Sequence, residues 1–103
     1  MTGSAERKYT VYVSIGNSDD KLTQADWSLF VDETYEAIAR QSHVHGVWTS
    51  ASADRYQNAC FCFELPAERI GKVKDALARV AAEYRQDSIA WADAETTFIT
   101  PAT

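Results

Sequence analysis

Residues 57–65 read QNACFCFEL, and the alternation of side chains in this stretch decides the fold. Ala59, Phe61, Phe63 and Leu65 fall on one side of an extended chain, and the residues between them fall on the other. A period of two is typical of a strand that directs one face into an apolar core. The other face of this strand carries small and polar residues, and we expect it to stay open.

The sequence on either side of this strand predicts two helices and three further strands. Thr23, followed three residues later by Asp26, forms an N-cap signal for the first helix, and Pro66 suits the start of the second helix. The predicted elements are strands over 9–15, 43–50, 57–65 and 89–99 and helices over 23–42 and 66–85.

This order of elements predicts a single α+β domain. Two strand–helix–strand units joined by a hairpin give the β-α-β-β-α-β order of the ferredoxin-like fold. In that fold a four-stranded antiparallel sheet carries two helices on one face. We expect the domain to span residues 8–100, between a flexible tail at 1–7 and a short tail at 101–103.

Composition and charge exclude several classes of protein. The chain has 103 residues, 46% of them hydrophobic, and a formal net charge of −5, which disfavours contact with a nucleic-acid backbone. Its apolar runs are far shorter than the ~20 residues that span a bilayer, and the N-terminus lacks the pattern of a signal peptide. Cys60 and Cys62 lie two residues apart in a strand, which disfavours a disulfide. We therefore expect a cytoplasmic protein that binds neither nucleic acid nor membrane.

The register of the central hairpin determines which side chains share the open side of the sheet. We expect Ser50 to lie opposite Gln57, and a shift by one residue would exchange the two faces. Val44 and Trp48 would then point into the core with the phenylalanines. The cross-strand pairs that follow are His43 with Glu64, His45 with Cys62 and Val47 with Cys60.

Histidine and cysteine side chains would meet on this open side. Imidazole and thiolate groups are the ligands that Zn²⁺ prefers, and cross-strand neighbours lie about 5 Å apart. Zinc sites, however, commonly space their cysteines by two to four residues, and cysteine is also an ordinary small residue of half-buried strands. We expect no cofactor, with zinc as the alternative. The four candidate ligands are His43, His45, Cys60 and Cys62.

Four surface regions supply candidate residues for binding a partner or a ligand. The residue types in each region are also typical of an ordinary turn, strand or solvated helix face. We expect the third strand to run parallel to the first, which would gather the loop at 16–20, His43, His45 and Glu64 at one end of the sheet. The candidates are Tyr12 on the open side, Asn17, Asp19 and Asp20 in the first loop, Asp32, Glu33 and Glu36 on the first helix, and Arg55 and Tyr56 in the hairpin loop.

The last strand allows two orientations. Ile89 and Trp91 fall on one side of it, whereas Ala90, Ala92 and Ala94 fall on the other, and either set could face inward. If the alanines face outward, this part of the sheet is flat and lightly apolar. Such a surface is suited to packing against another sheet.

The sequence contains no catalytic motif such as Gly-x-Ser-x-Gly and no glycine-rich nucleotide loop. We therefore predict a small non-enzymatic protein that binds a protein partner, or itself as a homodimer, through its open sheet face or its acidic first helix. One alternative is a domain that binds a small ligand or a metal ion at the His/Cys group. A small enzyme is one form of this alternative. Another alternative is an accessory protein of a phage or mobile element that blocks a host factor.

Overall fold

The computed structural model of the chain describes residues 7–17, 21–51 and 56–102. Residues 52–55 of the predicted hairpin loop, which include the candidate Arg55, lie outside these ranges, as do the candidates Asp19 and Asp20. Strands and helices follow one another in the predicted β-α-β-β-α-β succession. The elements are β1 (Lys8–Gly16), α1 (Gln24–Ala39), β2 (His43–Thr49), β3 (Asn58–Pro66), α2 (Ala67–Glu83) and β4 (Ala90–Ala94).

The four strands form one antiparallel sheet in the order β2-β3-β1-β4. The predicted α+β class, with a four-stranded antiparallel sheet and two helices, is confirmed. The prediction that the third strand runs parallel to the first is wrong, because Lys8 lies opposite Pro66 and Gly16 lies opposite Asn58. The reason is that the hairpin after β2 reverses the chain before β3 enters the sheet. Gly16 and Asn17 therefore lie at the opposite end of the sheet from Pro66.

The core lies between the helices and one face of the sheet. From β3 the core receives the predicted set Ala59, Phe61, Phe63 and Leu65, all of them buried. Both helices pack against β3 as well as against each other. Each large apolar side chain buried in this way stabilises the fold by about 1.5–3 kcal/mol. The helices contribute Trp27, Phe30, Thr34 and Ile38 from α1 and Val73, Leu77 and Val80 from α2.

Local signals explain where the helices begin. The Thr23 hydroxyl accepts a hydrogen bond of 3.1 Å from the backbone N–H of Asp26, which is the predicted N-cap. Pro66 occupies the N-cap position of α2, where its extended backbone directs the chain from β3 into the helix. Among the residues described, no helix combines the length and the apolar character needed to cross a bilayer.

The last strand is shorter than the sequence predicts. It ends at Ala94, since only residues 10–14 of β1 pair with it, and residues 95–102 are irregular. Trp91 faces the helices, with its ring 5.8 Å from that of Phe63 and beneath the Lys74 ammonium group. Of the two orientations that the sequence allows, the structure therefore has the one in which the alanines of β4 face outward.

Candidate functional site

A β-bulge in β2 determines the composition of the uncovered side of the sheet. The predicted pairing of His43 with Glu64 is confirmed. Between Val44 and Gly46 the register shifts, so that His45 is an extra residue in β2. A bulge places two residues of one strand opposite one residue of its partner, and the alternation continues out of phase beyond it.

The bulge moves Trp48 out of the predicted core. Trp48 lies opposite Cys60, so the predicted pairing of Val47 with Cys60 is wrong. The predicted pairing of His45 with Cys62 is wrong for the same reason, because Gly46 takes that place. The Trp48 side chain consequently lies on the uncovered side of the sheet, where 57% of its surface is exposed.

Gly46 was the sequence signal for this rearrangement. A Cβ atom at this position would lie 2.9 Å from the Trp48 ring, which is closer than such atoms approach. Only glycine leaves space for the indole to lie along β2 in this position. A glycine within a strand often marks a bulge or a close approach of another group, and here it marks both.

Three rows of four residues form the centre of the uncovered side of the sheet, which we call the open face, and Lys8 lies on the same side beyond them, opposite Pro66. Each row crosses the sheet from β2 through β3 and β1 to β4. Glu64 is the only acidic residue in these rows, and none of their residues is lysine or arginine. The rows are Trp48, Cys60, Ser14 and Ala90; Gly46, Cys62, Tyr12 and Ala92; and His43, Glu64, Thr10 and Ala94.

Tyr12 and Trp48 form an uncharged aromatic patch at the centre and edge of the open face. The Trp48 ring lies over Gly46, which pairs with Cys62, and Cys62 in turn pairs with Tyr12. Tyr12 is 40% exposed, whereas Cys62 is buried. The hydrogen bond with the Cys62 thiol, with the charge of an ionised Cys62 as a lesser cause, raises the pKa of the Tyr12 phenol. The phenol therefore stays neutral at physiological pH.

The two histidines lie beside this patch, and one of them contacts a carboxylate. Their rings meet edge to face, with centroids 4.9 Å apart. His45 Nε2 lies 2.8 Å from Glu64 Oε1, so the bulged residue has a carboxylate, not a thiol, as its neighbour. Across residues 7–17, 21–51 and 56–102, no three His, Cys, Asp or Glu side chains lie close enough together to hold a metal ion. The zinc hypothesis for His43, His45, Cys60 and Cys62 gains no support from this geometry.

Asn17 belongs to the structure of its loop. Its side chain is completely buried. The amide donates to the Leu22 carbonyl at 3.1 Å and accepts from the Leu22 N–H at 3.0 Å. Its backbone N–H binds the carbonyl of Gln57, at the hairpin end of the sheet and not beside the histidines. Tyr56, in contrast, is exposed near the hairpin and keeps its place among the candidates.

The acidic side chains of α1 do not form a uniform charged surface. Glu33 accepts a hydrogen bond from the Tyr84 hydroxyl, and this bond raises the pKa of Tyr84. Glu36 lines a groove of about 510 Å³ between α1 and α2 together with basic residues such as Arg40. Of the three predicted acidic candidates, Asp32 alone lies outside this groove and makes no bond to Tyr84. Its side chain is exposed.

Comparisons with known proteins bear on the fold alone. No protein-family model matches the chain, and no curated protein matches it significantly. A crystal structure of an unknown protein from Galdieria sulphuraria is similar at 17% identity and a TM-score of 0.54, over 94% of this chain and 54% of that one. The C-terminal domain of the MgtC protein from Mycobacterium tuberculosis is similar at 11% identity and a TM-score of 0.48, over 92% and 95% of the two chains. This chain thus spans about half the length of the Galdieria protein.

Proposed function

We propose that this chain is a non-enzymatic protein-interaction domain that binds a protein partner through its open face. The observation that carries the proposal is the exposure of Trp48 and Tyr12, 57% and 40%, within one uncharged patch. Tryptophan and tyrosine are enriched among the few residues that supply most of the binding energy in protein interfaces. An exposed contiguous apolar patch on a small domain is a mark of such an interface.

The free energy available from burying the Trp48 side chain supports its role in binding a partner. With 57% of a side chain of roughly 250 Å² exposed, about 140 Å² of indole surface is available for burial. At about 25 cal/mol per Å², its removal from water supplies up to about 3.5 kcal/mol, from which the ordering costs of association are subtracted. A contribution of this size is that of an interface hot spot.

The remainder of the open face suits a flat contact. Ser14, Cys60 and the outward alanines of β4 are small, so a partner can approach the sheet closely along most of its width. The single acid of the face, Glu64, already has His45 as its neighbour. A partner that covers the face therefore meets a carboxylate that already has an imidazole nitrogen within hydrogen-bond distance, which lowers the cost of burying it.

We further infer that the architecture is the ferredoxin-like one. Two features support this assignment, the β-α-β-β-α-β succession and the sheet order β2-β3-β1-β4. In this arrangement both helices cover the face that carries Phe61 and Phe63. The fold by itself does not specify a function.

The version of the proposal that uses the acidic first helix has less support. Glu33 is engaged by Tyr84, and Glu36 shares its groove with basic side chains. A partner binding there would have to displace these contacts, whereas the open face needs no such rearrangement. The identity of the partner, including a host factor blocked by a phage protein, stays a prediction.

A capture experiment tests the proposal. The immobilised chain is exposed to a lysate of its source cells, beside the variants Trp48→Ala and Leu29→Ala. Leu29 is a matched control, because it is an apolar residue of α1 that is 51% exposed. We expect Trp48→Ala to reduce the retained partner about tenfold and Leu29→Ala to leave it unchanged. Equal retention by all three proteins, with unchanged circular dichroism, would contradict the proposal.

A further inference from the structure

The boundary between β1 and β3 divides the open face into two halves. Side chains that lie equally far from this boundary in the two halves differ in size. In one row the outer positions hold Trp48 on β2 and Ala90 on β4. In the next row the inner positions hold Cys62 on β3 and Tyr12 on β1. A large side chain on one side of this boundary is thus matched by a small side chain on the other.

This pattern is the one that a surface needs to pack against its own copy. In a two-fold symmetric dimer the same patch of both chains meets. An axis that runs along the strands, above the boundary between β1 and β3, places β2 of each copy over β4 of the other and β1 over β3. Each row then faces itself, so that the position of Trp48 lies over that of Ala90 and the position of Tyr12 over that of Cys62. The indole ring itself reaches over Gly46 and therefore toward Ala92 of the second copy.

We propose that the open face binds a second copy of this chain in this orientation, an inference that rests on the proposed function. Packed sheets lie about 10 Å apart, and both layers of side chains must share that space. Large residues opposite small ones fill the space at the density of a protein core. Two large residues opposite each other would hold the sheets apart.

The alternative two-fold axis, in the plane of the sheet but across the strands, fits less well. It would place each strand over its own counterpart, so that Trp48 faces His43 and Ala90 faces Ala94. One edge of the interface would then be overfilled and the other would contain a void. Both defects are destabilising, and they favour the axis along the strands.

The distribution of charge permits self-association of an acidic chain. The formal net charge of −5 arises almost entirely outside the open face, where Glu64 is the single acid. In the proposed orientation Glu64 faces Thr10 of the second copy, and His45 stays beside it at 2.8 Å. No pair of like charges is brought together across the interface.

The rows of the open face set the size of the contact. They span residues 10–14 of β1, so five residues at about 3.3 Å each give a length of roughly 16 Å, and four strands spaced by about 4.8 Å give a width of roughly 19 Å. The projected area is roughly 300 Å² per copy, or roughly 600 Å² for two, before the relief of the side chains is added. Stable interfaces bury about 1,200–2,000 Å² in total, so this area is that of a weak dimer.

The chain after β4 carries two exposed apolar side chains. Phe98 and Ile99 are 89% and 96% exposed, so both side chains lie almost entirely in water in the single chain. The segment that carries them leaves the sheet at Ala94, which belongs to the third row of the open face.

Exchanging the large and small residues tests this arrangement. Sedimentation equilibrium is measured for the wild type, Trp48→Ala, Ala90→Trp and the double variant. We expect a wild-type dimer, a dissociation constant raised about tenfold or more by each single change, and recovery to within about threefold of wild type in the double variant. Ala90 is exposed in a strand, where tryptophan is well accepted, and circular dichroism verifies the fold of each protein.

Three results would overturn the inference. They are a wild-type chain that is monomeric at about 100 μM, a dimer that Trp48→Ala leaves unchanged, and a double variant no stronger than the weaker single variant. If the chain is monomeric but still captures a different protein in a Trp48-dependent way, this inference fails while the proposed function stands. The Leu29→Ala control should dimerise like the wild type.

Discussion

The two faces of the sheet are built from alternating residues of the same strands, yet their properties are opposite. On the face covered by the helices, Val13, Phe61 and Phe63 are completely buried. On the open face, the large side chains Trp48 and Tyr12 keep about half of their surface in water. The covered face thus supplies the apolar burial that holds the domain together, while the open face keeps apolar area available for binding.

This difference shows where function can be located in a small domain without a catalytic motif. A residue whose removal unfolds the chain says little about binding. A large residue whose removal hardly affects folding, but which lies in an uncharged patch, is available for a partner. Each residue of the sheet can therefore be assigned by mutation to a folding group or to a binding group.

The largest difference should separate Phe61 from Trp48, which lie on adjacent strands and on opposite faces. Phe61→Ala removes a completely buried ring and should lower the free energy of unfolding by about 3–5 kcal/mol. Trp48→Ala, measured in dilute protein, should lower it by less than about 1 kcal/mol. Denaturant titrations of both variants give these values. Similar losses for the two variants would remove the distinction between the faces.

Asn17 should belong to the folding group, although the sequence marked it as a binding candidate. Asn17→Ala removes both hydrogen bonds to the backbone of Leu22 and leaves buried groups unpaired, at a cost of about 2 kcal/mol. Asn58→Ala, at an exposed asparagine of β3, serves as the control and should change stability little. A denaturant titration in which Asn17→Ala is as stable as Asn58→Ala would return Asn17 to the binding candidates.

Glu33 should also belong to the folding group, through its hydrogen bond from Tyr84. Tyr84→Phe should cost about 1 kcal/mol at neutral pH. Because the folded pKa of Tyr84 lies above its ordinary value near 10, this stabilisation is present below pH 10 and decreases as the pH rises above it. The stability difference between wild type and Tyr84→Phe, followed by denaturation from pH 7 to pH 11, should therefore shrink. A difference that does not change with pH would argue against the hydrogen bond.

The smallest effects on stability should come from two glycines with different surroundings. Gly46→Ala pushes the Trp48 ring aside and should weaken partner binding several-fold, while it costs about 1 kcal/mol or less. Gly71→Ala places a methyl group in open space on α2 and should stabilise the fold by about 0.5–1 kcal/mol without affecting binding. Binding assays and thermal denaturation of both variants test this contrast. If Gly46→Ala binds the partner as well as the wild type does, the orientation of the Trp48 ring is not important for the interface.

Much of the covered face was predictable from the sequence, because local periodicity directly reflects burial. The alternation around Phe61 and Phe63 identified the core side of β3. The predicted hairpin register, with Ser50 opposite Gln57, was wrong by one residue, because Ser50 lies opposite Asn58. His43 nevertheless pairs with Glu64, since the bulge at His45 offsets this shift. The direction of β3 was predicted wrongly, although the hairpin that precedes it requires the reversal. Periodicity describes a strand well only while its alternation is unbroken.

The composition of the open face was harder to predict, since it depends on one inserted residue. The bulge at His45 exchanges the faces of every later residue of β2, and thereby moves Trp48 from the predicted core to the surface. Gly46 carried a signal for this, but a glycine in a strand is equally typical of a tight bend, where the alternation need not change. The contact of Glu33 with Tyr84 joins residues 51 positions apart, so no local pattern could have indicated it.

The open face should be covered whenever this protein is bound to its partner, and this is the central claim. Hydroxyl-radical footprinting measures this directly, by comparing the oxidation of Trp48 and Leu29 in the dilute free chain and in the captured complex or dimer. We expect oxidation of Trp48 to fall several-fold on binding, while oxidation of Leu29 on α1 does not change. Equal oxidation of Trp48 in the free and bound chain would contradict the claim.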